Sequence, residues 1–240
     1  GRKLQNEGIF NWTGGSISLG QSPFGTSFGG ATIVNALGAT FNDAVAGTIN
    51  NGSGTNAFNN AGTFQTSFAS GTTTIGVTFN NTGSVQVGTG GTLNLSGGGT
   101  STRGSFTGGG TLQFSSGYTL DAASTISTAN AIFSAGTTTL AGTYSATNTT
   151  LSGGALTTGS SPITLGTNFT HAAGTLSGSG TVTVTGLSSF TGVSTYMLET
   201  GSGTTDLQGG GVLSSGILAL DGGRKLQNEG IFNWTGGSIS

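Results

Sequence analysis

Side chains able to do acid, base or metal chemistry are sparse in this chain. His171 is the single histidine of 240 residues, cysteine is missing, and the carboxylates are Glu7, Asp43, Asp121, Glu199, Asp206, Asp221 and Glu229. One histidine cannot make a His-based metal cluster, and any catalytic triad would have to be built on it alone. His171 reads as a turn residue. The acids are scattered, so a glycosidase pair roughly 5 to 10 Å apart could arise only between distant parts of the chain. Calcium-binding nonapeptide turns need an Asp in each GGxGxDxUx unit, and the Gly-rich turns here lack it. Without thiols there is neither a disulfide nor a thiolate site. The chemistry predicts no enzyme, no cofactor and no metal.

The remaining charges point to surfaces rather than to reactions. Five basic residues make no cationic face, which excludes nucleic acid as an expected partner. Asp221, Arg224, Lys225 and Glu229 fall close together, and Arg2, Lys3 and Glu7 repeat the motif. The favoured reading is a solvated turn; the functional one is a charged collar that sets lateral registry between rods. Trp12 and Trp234, both in NWTGG, could stack on sugar rings if exposed. Their strand phase, shared with Phe10, favours packing against neighbouring chain. Sequons at Asn11, Asn51, Asn80, Asn94, Asn148 and Asn168 follow from a composition rich in Asn, Ser and Thr, and imply glycosylation only in a suitable secretory host.

The elements that carry these residues repeat. The opening stretch 1–18, GRKLQNEGIFNWTGGSIS, returns unchanged at 223–240. Residues 1–222 therefore read as one full tandem period, and 223–240 as the first coil of the next. Glycine fills 49 positions and charged residues only 5%, a composition that suggests a flexible linker. Net charge, however, is only -2, and the apolar residues alternate with Thr, Ser, Gln and Asn as strands require. An ordered all-β chain is expected. No apolar run is long enough to span a bilayer, so no membrane insertion is expected in this segment.

Within the period a shorter rhythm runs. Leu4, Asn6 and Gly8 precede a strand through Ile9, Phe10 and Trp12, and the pattern recurs as FNNAGTF from Phe58 and FNNTGSVQV from Phe79. A degenerate copy starts at Phe41, one unit ahead of Phe58. Pairs such as Leu93 with Leu95, Leu112 with Phe114, Val85 with Val87 and Val182 with Val184 share one face, while Gln86, Asn94, Gln113 and Thr183 take the other. Strands of three to five residues separated by Gly-rich turns, at a spacing of about 17 to 21, suit a single-stranded parallel β-solenoid continuous between repeats. A β-sandwich would need hairpin signals and linkers between repeats. No helix is expected. Residues 20–35 fit worst and are expected to form a protruding loop or an irregular coil, and 189–207 form a second irregular stretch. Asn60 and Asn81 are expected to stack in an amide ladder, with Gly62 and Gly83 supplying turn geometry that a Cβ resists. About 11 coils would make one period roughly 50 Å long.

GTLNLSGGGT, GTVTVTG, FNNTGSVQV and NWTGGSIS resemble the repeats of giant secreted bacterial surface proteins, of the filamentous-haemagglutinin and autotransporter-like β-helical adhesin type. The likeness covers most of the chain except 20–35. It implies an extracellular, secreted or cell-surface location, roles in adhesion, matrix building or surface extension, and no active-site residues. The leading expectation is a structural fibre whose partner is itself, through neighbouring repeats and lateral bundling. The alternative is the stalk or glycan-binding part of a large adhesin, with glycans or other cells as partners. An ice-binding face, suggested by TVTVT from Thr181, needs Thr-x-Thr at one phase in every coil, which most coils lack.

Overall fold

The computed structural model describes residues 1–21 and 29–240, and every regular element among them is a β-strand. Arg2–Asn6, Ile9–Trp12 and Ile17–Leu19 form a first coil. Ala31–Asn35, Thr40–Asp43 and Thr48–Asn51 lie over them in the same order, and Ala57–Asn60, Thr63–Thr66 and Gly71–Ile75 lie over those. Each pairing is parallel and none closes a hairpin, so the chain is a β-solenoid with three sheets, called here the first, second and third in the order the chain visits them.

The spacing of inward residues explains the winding. Along each strand a period of two sends every other side chain to the interior. Val85, Leu93, Leu95, Leu112, Phe114, Val182 and Val184 are fully buried, and Gln86, Asn94, Gln113 and Thr183 lie on the outward phase. No coil can bury its apolar edge alone, so each depends on the coils above and below. The narrow interior is largely aromatic in the first coils. Phe41 lies 5.1 Å from Phe58 and 5.6 Å from Phe64 between ring centroids, and Phe58 lies 5.3 Å from Phe79. Burying each such ring contributes about 1.5–3 kcal/mol.

The corners tighten along the chain. Ser105–Phe114, Asn148–Thr158, Asn168–Ser177 and Gly211–Leu220 each run through a corner and serve two sheets. Glycines in the left-handed region, Gly108, Gly153, Gly174 and Gly216, make those bends. Long continuous strands therefore replace the expected short strand and loop in this half. A corner this sharp needs only one glycine, which sequence periodicity does not distinguish from a turn.

Five further expectations are corrected. Ala31–Asn35 is a regular strand of the first sheet, so the protruding loop cannot extend that far, and its stretch 22–28 lies outside the described residues. Residues 189–207 are regular strand over Ser188–Thr200 and Thr204–Leu207; the irregularity is a register shift between Thr191 and Tyr196. The coils are longer than expected at the start, where Arg2 pairs with Ala31 and Thr32 with Ala57, and again where Gly174 pairs with Met197, and are of the expected length in between, as where Thr137 pairs with Ala155. Phe41 belongs to the second sheet, opposite Phe64, and Phe58 to the first, so the spacing between Phe41 and Phe58 is part of a coil and not a whole one. Counted along the sheets, ten coils and one additional sheet separate Lys3 from Lys225, instead of about eleven coils.

Candidate functional site

Two buried polar assemblies interrupt the apolar interior. The first is an amide rail at the corner between the first and second sheets. Asn6, Asn35, Asn60 and Asn81 occupy one register column of the first sheet. Asn6 Nδ2 donates to Asn35 Oδ1 at 2.7 Å, Asn35 Nδ2 to Asn60 Oδ1 at 2.8 Å, and Asn60 Nδ2 to Asn81 Oδ1 at 2.8 Å. The remaining amide hydrogens reach backbone carbonyls of the coil above: Thr40 for Asn6, Thr63 for Asn35, Ser84 for Asn60 and Ser105 for Asn81. Asn6, Asn35 and Asn60 thus each offer one donor to the next amide and one to the backbone, which is what a buried primary amide requires, and Asn81 ends the rail with its bond to the backbone.

Gly8, Gly62 and Gly83 follow the rail two positions on. The Gly8 and Gly83 amides donate to Asn6 and Asn81 Oδ1 at 3.2 Å, and Gly62 O accepts from Asn60 Nδ2 at 3.3 Å. The reason for glycine differs from the expected turn geometry, because neither Gly62 nor Gly83 lies in the left-handed region. Close approach is the cause. A Cβ on Gly83 would sit 2.2 Å from Gly62 O, and one on Gly62 would sit 2.3 Å from Ala39 O. Asn35 was hidden from sequence reasoning because it ends the stretch read as a loop; the signal was Ile33-Val34-Asn35, an apolar residue two before an Asn.

The second assembly is a buried ionic knot. Glu199 points inward from the first sheet between Leu176 and Leu220, Thr205 from the second between Val182 and Leu226, and His171 from the third between Leu151 and Phe190. Arg224 enters from the corner before Lys225–Asn228. The Thr205 hydroxyl donates to Glu199 Oε2 and accepts from Arg224 Nε and Nη2 at 3.1 and 2.8 Å. Arg224 Nη1 donates to Gly178 O at 3.4 Å, and Arg224 Nε lies 3.7 Å from Glu199 Oε2. His171 Nδ1 lies 3.6 Å from Glu199 Oε1, and neither atom has a hydrogen-bond partner. Burial pulls the Arg224 guanidinium below its ordinary value, and Glu199 pulls it back. Gly203 makes room, since a Cβ there would lie 2.7 Å from Arg224 Nη1 and 2.3 Å from Gly180 O.

His171 is therefore a fully buried strand residue and not a turn. The seam charges separate: Arg224 is buried, whereas Asp221, Lys225 and Glu229 are exposed, so the solvated-turn reading fails at Arg224. Lys225 Nζ donates to Gln227 Oε1 at 2.7 Å, and Gln227 Nε2 to Glu229 Oε1 at 3.0 Å, an outward strip across the sheet. Glu199 could have been placed from its phase, two positions after Met197 and paired in register with Leu220 on the next coil. Its pairing with Arg224 could not, because the two lie on different coils.

Trp12 is 3% exposed and packs edge-on to Phe41 at 6.4 Å, with Nε1 donating to Gly14 O and Gly15 O at 3.1 Å. A ring so enclosed cannot stack on a sugar. Trp234 lies on the last coil and is 56% exposed. Asp43 is a third buried polar group: burial raises its carboxyl above the ordinary 3.8, against hydrogen bonds from Thr73, Val45 and Ala46. Among the described residues no group of three or more His, Asp or Glu could hold a metal ion. The knot is closed from solvent, so what it can do is fix the position of coils rather than turn over a substrate.

No known protein family, curated protein or solved structure matches this chain.

Proposed function

We propose that this chain is part of a structural fibre: an extracellular or cell-surface filament, secreted by a bacterium, in which tandem periods of one β-solenoid follow each other without linkers, and which catalyses nothing. The observation that carries the reading is the joint between the two copies of the repeated segment. Strand Gly211–Leu220 of the first period pairs with Phe232–Trp234 and Ser238–Ile239 of the returned segment, and Thr204–Leu207 pairs with Lys225–Asn228. The stack crosses the joint as it crosses any other coil. Arg224, a residue of the returned segment, is buried against Glu199 of the preceding period. A buried pair contributes little net stability but penalises every register that leaves one charge without its partner, so it suits a joint that must form one way.

The resemblance to giant adhesins supports the location and the self-association. Lateral bundling through the weakly charged outer faces is part of the proposal, with outward polar stripes such as the half-buried Asn130 and Asn148 and the exposed Asn168, linked at 3.0 and 2.8 Å, as the contact surface. The glycan-binding alternative is weaker, because Trp12 is enclosed. Electron microscopy of the native material tests the fibre reading: unbranched filaments with about 50 Å of axial length per period are expected, and separate beads joined by thin linkers would refute it.

A further inference from the structure

We propose that each tandem period advances the chain by ten coils and one further sheet, so that every outward patch of the period is displayed on the three sides of the rod in turn. The extension beyond this chain rests on the fibre reading; the step of one sheet does not.

The two identical segments sit on different sheets. In the first copy Lys3 pairs with Thr32 and Asn6 with Asn35 on the first sheet, Phe10 pairs with Phe41 on the second, and Ile17 with Ile49 on the third. In the second copy Lys225 pairs with Thr204 on the second sheet, Phe232 with Gly211 on the third, and Ile239 with Leu218 on the first. Each third of the segment has moved on by one sheet.

The local conformation is kept through this move. Trp12 Nε1 donates to Gly15 O, and Trp234 Nε1 to Gly237 O at 3.2 Å; Gly15 and Gly237 have φ of 72° and 76°. The register phase is kept as well, although Asn228 and Trp234, on the last coil, are exposed. Leu4, Asn6, Phe10, Trp12 and Ile17 face the partners Ile33, Asn35, Phe41, Asp43 and Ile49, while Leu226, Asn228, Phe232, Trp234 and Ile239 face Thr205, Leu207, Gly211, Leu213 and Leu218. One sequence thus fits two sheets with different neighbours. Three sheets that accept the same strands are interchangeable, and nothing in the winding restores the segment to its starting sheet until three periods have passed.

The consequence concerns what a partner meets. The Lys225–Gln227–Glu229 strip crosses the second sheet, and its counterpart Lys3–Gln5–Glu7, where Gln5 Nε2 donates to Glu7 Oε1 at 3.2 Å, crosses the first. A second rod lying along one side meets this strip once in three periods, about 150 Å at roughly 4.8 Å per coil. Rods on all three sides meet it equally often, so lateral association has no preferred side and a bundle grows in two dimensions rather than as a ribbon.

The chain lacks cysteine, so paired substitutions report the sheet directly. Lys225→Cys with Thr204→Cys, two outward neighbours on adjacent coils, is expected to couple through a short bifunctional thiol reagent as fully as Lys3→Cys with Thr32→Cys. Lys225→Cys with Leu198→Cys, on the first sheet, is expected not to couple. Coupling of Lys225→Cys to Leu198→Cys, or failure with Thr204→Cys while the Lys3 and Thr32 pair couples, overturns the sheet advance and leaves the fibre reading intact. Beads in the microscope with coupling as expected would overturn the fibre alone.

Discussion

At the scale of the residue, the interior holds two kinds of polar group whose energetics run in opposite directions. Arg224 and Glu199 are mutually compensated, so Arg224→Met is expected to lose about 3–5 kcal/mol by leaving a buried carboxylate without its counter-charge. The double variant with Glu199→Leu is expected to be markedly more stable than Arg224→Met, as read from denaturation midpoints; equal losses would mean that the pair is not coupled. Asp43 has no counter-charge. Burial raises its folded value above 3.8, so the folded chain holds that proton more tightly than the unfolded chain does. Its contribution to stability is therefore greatest at low pH and is lost as pH rises through the raised value. Asp43→Asn removes this slope. The variant is expected to gain on the parent as pH goes from about 4 to 7, measured by denaturant titration; a gap moving the other way would contradict the assignment.

Corners decide more than strands at the scale of the element. The strand phase was legible in the sequence because a period of two survives in every coil: Leu93 with Leu95 and Val182 with Val184 are inward as their spacing requires. The corners were less legible. A glycine that turns a strand, such as Gly108, and a glycine that admits a neighbouring backbone, such as Gly83, are the same letter in the sequence. The rail shows the same limit. Asn60 and Asn81 were visible because FNN precedes each turn, whereas Asn35 follows Val34 and sits where the coils are long. Asn60 makes amide bonds in both directions, so Asn60→Ala breaks the rail in the middle. The expected cost is about 2–3 kcal/mol, from the donors and acceptors left buried without partners. A matched loss is not expected for Asn59→Ala, whose side chain faces outward and accepts from Asn80 at 2.9 Å. Equal destabilisation of the two variants in urea would show that the rail is not special.

For the whole molecule, repetition is both the source of cohesion and the most readable feature. The return of 1–18 at 223–240 already implied a continuous array. What the letters alone could not give is the sheet on which the second copy lands. Coil length varies along the chain, being greatest where Ile49 lies over Ile17 and least where coils such as that from Thr137 to Ala155 stack, so the length of the period does not convert into a whole number of turns. The ionic knot was hidden for the same reason: His171, Glu199 and Arg224 meet only once the coils are counted correctly. Of the chemically capable residues, His171 and Glu199 thus meet Arg224 of the returned segment inside the joint, whereas Asp43 is buried far from it, in the early coils.

Parallel stacking of the coils is the claim on which all of this depends, and distances along one sheet test it most directly. Asn59, Asn80, Thr100, Thr119, Thr139 and Thr157 form one outward column of the first sheet. With one spin label fixed at Asn59→Cys and a second moved up the column, the separation is expected to grow by about 4.8 Å at each step, to roughly 24 Å at Thr157→Cys. Separations that rise and then fall, or that scatter without order along the column, would contradict it.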